Sequence, residues 1–262
     1  MSEQTGASKQ EDAKKAPRSW TRSIGEILAA FLVVMVAKGA LAEPFYVPSA
    51  SMEPTLLIGD ALLASKYPYG YSTASVPVNV ALPASSRLFG KLPVRGDVVV
   101  FRWPGDTSQA WVKRVVGLPG DRVQMRAGHL WINGKPAQLK ADGYGRAEDE
   151  SGLGNTAARY AETLPGDSRT HTVFKLRTHG ALDDTAEVTV PAGHLFVMGD
   201  NRDNSADSRV AVAEGGVGLL PVENLVGRVD TIVGSWDFAV KKQPLWTWLS
   251  GLRLARTFTS VQ

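Results

Sequence analysis

Two serines, Ser49 and Ser51, lie in the segment Pro48-Ser-Ala-Ser-Met-Glu-Pro-Thr55, clamped between two prolines. A serine hydroxyl becomes a nucleophile only when a neighbour takes its proton, and the usual acceptor is histidine. The chain has four histidines, His129, His171, His179 and His194, but no Gly-x-Ser-x-Gly turn, so a Ser-His-Asp triad has weak support. Lysine can replace histidine if burial strips its proton. Lys113-Arg114 stands inside the apolar run from Trp111 to Val116. A third polar cluster, Gly199-Asp-Asn-Arg-Asp-Asn-Ser-Ala-Asp-Ser-Arg209, follows directly on apolar Leu195-Phe-Val-Met198. Asp200, Asp203 and Asp207 offer oxygens to a calcium-like ion, yet the alternating acids and closing Glu of such a loop are missing, so no metal is expected. With no cysteine in the chain, a thiolate nucleophile, a disulfide framework and a Cys zinc site are excluded.

Each feature also has a bland reading. The serine stretch can be a linker, and its prolines push their preceding residues out of the helical region, so it is expected to run extended with no helix. Lys113 and Arg114 can be two solvated edge charges. Strand alternation puts them on opposite faces, so only one of them points toward the core.

The elements that must position these residues follow in order. Residues 1–23 are polar, with Lys9, Lys14, Lys15, Arg18 and Arg22 against Glu3, Glu11 and Asp12, and read as a disordered tail. Residues 24–42 have a wholly apolar centre from Ile27 to Ala37, and a helix of about 19 residues just crosses a hydrocarbon core of about 30 Å. Glu26 and Lys38 sit near its ends, where charged side chains can reach the headgroups. Cations precede this span and Glu43 follows it, which leaves the N-terminus in the cytoplasm and the rest outside.

Residues 67–92, rich in Pro, Ser, Gly and Tyr, form a surface excursion without periodicity. Val98-Val-Val-Phe101, opened by Gly96-Asp97 and closed by Pro104, reads as a strand, and Trp111 to Val123 repeats that character. His129-Leu-Trp-Ile-Asn-Gly-Lys135 is a hairpin signal. Residues 141–167 are polar with little periodicity, so 131–190 is expected to be an inserted β-rich subdomain. Leu225 to Val233 is a last strand. Leu245, Trp248, Leu249 and Leu252 then recur at helical spacing among Lys241, Lys242, Arg253 and Arg256, as in a helix lying among lipid headgroups. The net charge is only +3 and no basic run is interleaved with stacking aromatics, so nucleic acid is not an expected partner.

Taken together, Pro48 to Leu56, Gly96-Asp-Val-Val99, Lys113-Arg-Val-Val-Gly-Leu-Pro-Gly-Asp121 and Gly199 to Arg209 resemble, in order, the signature boxes of bacterial type I signal peptidases. The resemblance implies a serine endopeptidase of the bacterial inner membrane. It would be single-pass, with its catalytic domain on the periplasmic side, and would remove signal peptides from exported preproteins without a cofactor. By position, Ser51 is the nucleophile and Lys113 the general base. Ser49 and the N–H of Ser51 fall at the oxyanion positions. Ser205 and Asp207 fall where the family orients the lysine and braces the loop, with Arg209 paired to an acid. From strand alternation rather than resemblance, Arg114 lies on the face opposite Lys113, and its replacement is expected to leave the chemistry measurable. Substrates would bind extended beside a β-edge, with small residues at the first and third positions before the cut.

The expected fold is mostly β: a transmembrane helix, then an antiparallel sheet or barrel-like core from residues 44–130 and 191–240, with the insertion between and a basic, aromatic tail at 241–262. Membrane lipids are the expected second partner. Two alternatives remain at this level: an inactive anchored β-module that binds exported proteins, and a Ser–Lys self-cleaving repressor-type peptidase.

Overall fold

The computed structural model describes residues 20–75, 87–148 and 154–261. The expected disordered tail at 1–23 lies almost wholly outside them, as does part of the 67–92 excursion. The chain divides into two units, Met1–Ala37 and Lys38–Gln262. The first contains most of one helix, α1 (Trp20–Ala40). Among the described residues no helix is long and apolar enough to cross a membrane. The side chains of Thr21, Arg22, Leu32 and residues 35–40 of α1 fall outside that description. The helix is shifted from the expected 24–42 because Ala42 is already hydrogen-bonded as a strand opposite Ser65.

The second unit is mainly β, as its β-branched runs require, with short 3-10 turns between strands. In chain order the strands are β1 (Ala42–Tyr46), β2 (Asp60–Ser65), β3 (Val98–Trp103), β4 (Asp106–Gly117), β5 (Arg122–Arg126), β6 (His129–Ile132), β7 (Lys135–Pro136) and β8 (Gln138–Glu148). They continue as β9 (Gly154–Thr163), β10 (Thr170–Lys175), β11 (Val188–Thr189), β12 (His194–Met198), β13 (Leu220–Pro221), β14 (Leu225–Ser235) and β15 (Thr259–Ser260). The main sheet runs β1-β2-β14-β3-β4-β12-β13 with β15 on β14, and its neighbours pair antiparallel. Pro44 is tolerated because β1 is an edge strand. β3 lies deep in this sheet and is buried on both faces: Val98 and Val100 join one apolar cluster, Val99 and Phe101 another. That is why its sequence is a continuous apolar run rather than an alternating one.

Two expectations about the insertion change. The hairpin β5–β6, expected within the catalytic core, belongs to a separate sheet, β11-β5-β6-β7. The chain leaves the main sheet at Gly120, whose φ of +90° suits glycine, while the Asp121 carboxylate accepts from Leu118 N at 2.6 Å and from Asn133 Nδ2 at 2.7 Å. The polar stretch after it is regular, since β8 and β9 form a long hairpin extended by β10. β8 is mostly exposed and β9 mostly half-buried, and the apolar cluster here is small, Ala147, Ala157 and Phe174, so apolar alternation never develops. The expected helix at 245–252 is instead a 3-10 segment, Leu245–Gly251. Trp236 sets this tighter winding: its Nε1 donates to Trp248 O at 3.1 Å, and its indole occupies the space where a side chain on Gly251 would lie.

Candidate active site

The serine stretch corrects its expectation first. Ser49 is extended, but Ala50–Met52 coil into one buried 3-10 turn before Glu53 returns to extended backbone. The prolines restrict residues 47–48 and 53–54 and leave the three between them free to turn. Met52 and Leu56, both 0% exposed, plug this turn into the core, and Leu56 N donates to Met52 O at 2.9 Å. The turn presents Ser51 to a cleft of about 970 Å³ whose apolar walls include Phe45, Tyr46, Leu62 and Trp111.

Lys113 reaches the same point from β4. Its Nζ donates to Ser51 Oγ at 2.8 Å and to Val112 O at 3.2 Å, and lies 5.5 Å from the centre of the Trp111 ring. At 4% exposure, burial lowers the Lys113 amine from its ordinary value to about 8, assisted by Arg209 and opposed by the carboxylates of Asp207 and Asp200. A hydroxyl in contact with a half-neutral amine can lose its proton to it, which is the chemistry of an activated serine.

Ser49 Oγ stands 3.4 Å from Ser51 Oγ. Ser205 lines the same cleft, with its buried hydroxyl unpartnered and no hydrogen bond to Lys113. Asp207 is fully buried. Burial pushes its carboxyl up, but the Arg209 guanidinium, donating from Nε and Nη2 at 2.8 Å each, and the N–H of Gly199 at 3.0 Å hold it below the usual range. Gly199 is required by space: a Cβ there would stand 2.3 Å from Ser205 Oγ and 2.4 Å from Ser51 O. The loop also grips the serine turn, through Asn201 N to Ser51 O at 3.1 Å and Asn201 Nδ2 to Ala50 O at 3.2 Å.

Arg114 is neither solvated nor an edge charge. It is 1% exposed, and its fork meets Asp200 from Nε at 2.8 Å and Nη2 at 2.7 Å, while Nη1 donates to Gly96 O at 2.7 Å. The calcium-like reading of the loop finds its carboxylates engaged elsewhere: Asp200 with Arg114, Asp207 with Arg209, and Asp203 with the N–H groups of Leu176 and Arg177. No histidine lines the cleft. Sequence reasoning weighed Arg114 as an edge charge and Asp200 as an ion ligand without pairing them, and gave Asn201 no role, although an acid-rich loop leaving a core strand is itself a signal that buried cations face it.

A family model described as signal peptidase, peptidase S26, matches residues 20–236. A signal peptidase I from Rickettsia typhi is 32% identical over 95% of this chain and 97% of its own length. One from Pseudomonas aeruginosa is 37% identical over 78% of this chain and 69% of its own. A crystal structure of a signal peptidase I from Enterococcus faecalis is 28% identical and covers 53% of this chain and 97% of its own, with a TM-score of 0.30, so the kinship is read from sequence rather than from superposition. With a matched region that spans the serine turn, β4 and the 199–209 loop, the chain belongs to the signal peptidase family, peptidase S26, and is a signal-peptide-cleaving serine peptidase.

Proposed function

We propose that the chain is a membrane-anchored endopeptidase that cleaves signal peptides from exported preproteins with Ser51 as nucleophile and Lys113 as general base. The observation that carries this is the 2.8 Å contact between Lys113 Nζ and Ser51 Oγ at the floor of an apolar cleft. Neutral Lys113 takes the Ser51 proton as Oγ bonds to the scissile carbonyl carbon. The resulting ammonium gives that proton to the leaving amine as the C–N bond breaks, which leaves an acyl ester on Ser51. Lys113 then deprotonates water, whose oxygen attacks the ester, and the proton returns to Oγ. Ser49 and the Ser51 N–H stabilise the oxyanion, a contribution of about 3 to 4 kcal/mol. Ser205, in the same cleft with its hydroxyl free, turns that hydroxyl to the amine only when the site is engaged, and the Asp207–Arg209 pair braces the loop that carries it. No metal or other cofactor enters these steps.

Cleavage is expected to rise with pH through about 8, because only the neutral amine accepts a proton and the charged form dominates below that value. The kcat/KM profile of preprotein cleavage between pH 6 and 10 checks this, and a flat profile would remove Lys113 from the role of base.

We place the serine and lysine on the periplasmic side of a bacterial inner membrane, behind a single anchor within α1 and with the cationic residues before it in the cytoplasm. The wholly apolar run from Ile27 to Ala37 and the cations before it support this. Leu249, Leu254 and Phe258, each at least 75% exposed, give the tail a surface suited to lipid. A chain starting at Leu41 keeps Glu43, the partner of fully buried Lys66 at 2.8 Å, and should stay folded and still bind anionic vesicles. High salt should weaken that binding only partly, and tryptophan emission indifferent to lipid would count against it.

A further inference from the structure

We propose that Glu162, on β9, is a positioning residue for the reaction: through Arg202 it locks the 199–209 loop onto the three-stranded sheet β8–β10, in the register that brings Ser205 and Asp207 to the Ser51–Lys113 pair. The inference rests on the reading of that pair as the reacting groups. It gives a task to a sheet that none of the sequence motifs touches.

Glu162 and Arg202 are 1% and 3% exposed. Arg202 Nη1 donates to Glu162 Oε1 at 2.8 Å, Nη2 donates to Oε2, and His171 Nε2 lies 3.1 Å from Oε2. Two charges taken this far out of water are tolerable only when their geometry is held, so the pair fixes where Arg202 can be. The backbone makes the same attachment: Phe174 N donates to Asp200 O and Arg202 N to Phe174 O, each at 2.9 Å. From Arg202 the connection runs on toward the reacting groups. Its carbonyl accepts from Arg209 Nη2 at 2.8 Å, Arg209 holds Asp207, and the adjacent Asn201 holds Ser51 O. Arg202 therefore joins the sheet on one side to the loop and the serine turn on the other. The carboxyl of Glu162 is held at about 2, with burial opposing and Arg202 and His171 outweighing it, so the pair is intact across the working pH range. The contrasting pair on this sheet, Arg159–Asp142, is 42% and 52% exposed.

The test is steady-state cleavage of a preprotein by the full chain in detergent micelles, counted per folded molecule and run below the unfolding transition of every variant. Glu162→Gln leaves the guanidinium with half its acceptors. Because misplacing reacting groups by about 1 Å can cost about 100-fold, kcat should fall about 10- to 100-fold while KM stays within about twofold. Glu162→Asp should recover part of the loss, and Asp142→Asn should match the parent. If the glutamine variant does not fold, the same split is read from Glu162→Asp and Arg202→Lys, which keep the charges but loosen the fork. A parental kcat in these variants, or a rise in KM alone, overturns the brace. Ser51→Ala run alongside separates the two levels: if it still cleaves, the assignment of the reacting pair falls and the brace with it.

Discussion

Ser51→Ala, Lys113→Met and the double variant are expected to fall to one common residual rate of preprotein cleavage, a loss on the order of 10⁴-fold or more for each. In the proposed reaction the two side chains act on a single proton, so once either is gone the other has nothing left to do, and the losses do not add. Independent, multiplying losses would mean that the 2.8 Å contact is incidental to the chemistry. The same lysine variant carries a stability prediction of opposite sense. The folded amine titrates at about 8 and the unfolded one near 10.4, a gap worth about 3 kcal/mol at about 1.4 kcal/mol per unit. Below pH 8 both states are protonated and the whole penalty falls on the fold. Between the two values only the unfolded chain holds the proton, so the parent gains stability as pH rises. Lys113→Met should therefore be the more stable protein at pH 7, with an advantage that shrinks toward pH 10. Denaturant midpoints at both pH values check this, and a less stable methionine variant at pH 7 would make Lys113 a structural cation.

Arg114→Ala is expected to cost about 3 to 5 kcal/mol of stability, because it leaves Asp200 as a buried charge without its guanidinium. The sequence alone suggested a dispensable neighbour of Lys113. With both partners within 1% exposure, the position instead ties β4 to the start of the 199–209 loop. The activity of Arg114→Ala should fall with its folded fraction and with the looseness of that loop. Arg114→Met combined with Asp200→Leu should recover much of the stability, since a matched apolar pair leaves no orphaned charge. Urea midpoints for the single and double variants decide it: a single variant within about 0.5 kcal/mol of the parent, the usual range for surface positions, would show the pair to be solvated.

How far the sequence could be read depended on how each element is stabilised. β3 was legible because two-sided burial writes itself as Val98-Val-Val-Phe101. Ser51 and Lys113 were readable locally as a linker serine and a solvated edge charge, and came forward only through the resemblance of four ordered boxes to those of signal peptidases. The β8–β9 hairpin was illegible for the opposite reason: β8 is mostly exposed and the residues that β9 buries are small or polar, Ala157 and Glu162, which leaves no apolar period to find. The engagement of Arg114 with Asp200 spans 86 positions and the turn at 50–52 is decided by Asn201 and the packing of Met52, so no local window contained either.

β14, residues 225–235, pairs with β2 on one side and β3 on the other, and so enters the middle of the main sheet late in the chain. A polypeptide emerging from the ribosome has already delivered Ser51, Lys113 and the whole 199–209 loop before the strand that joins their supports exists. Non-local pairing of this kind closes slowly, and it closes last. The serine turn, β4 and the 199–209 loop are therefore made before the strand that joins their supports, and the main sheet is complete only once residues 225–235 have entered it.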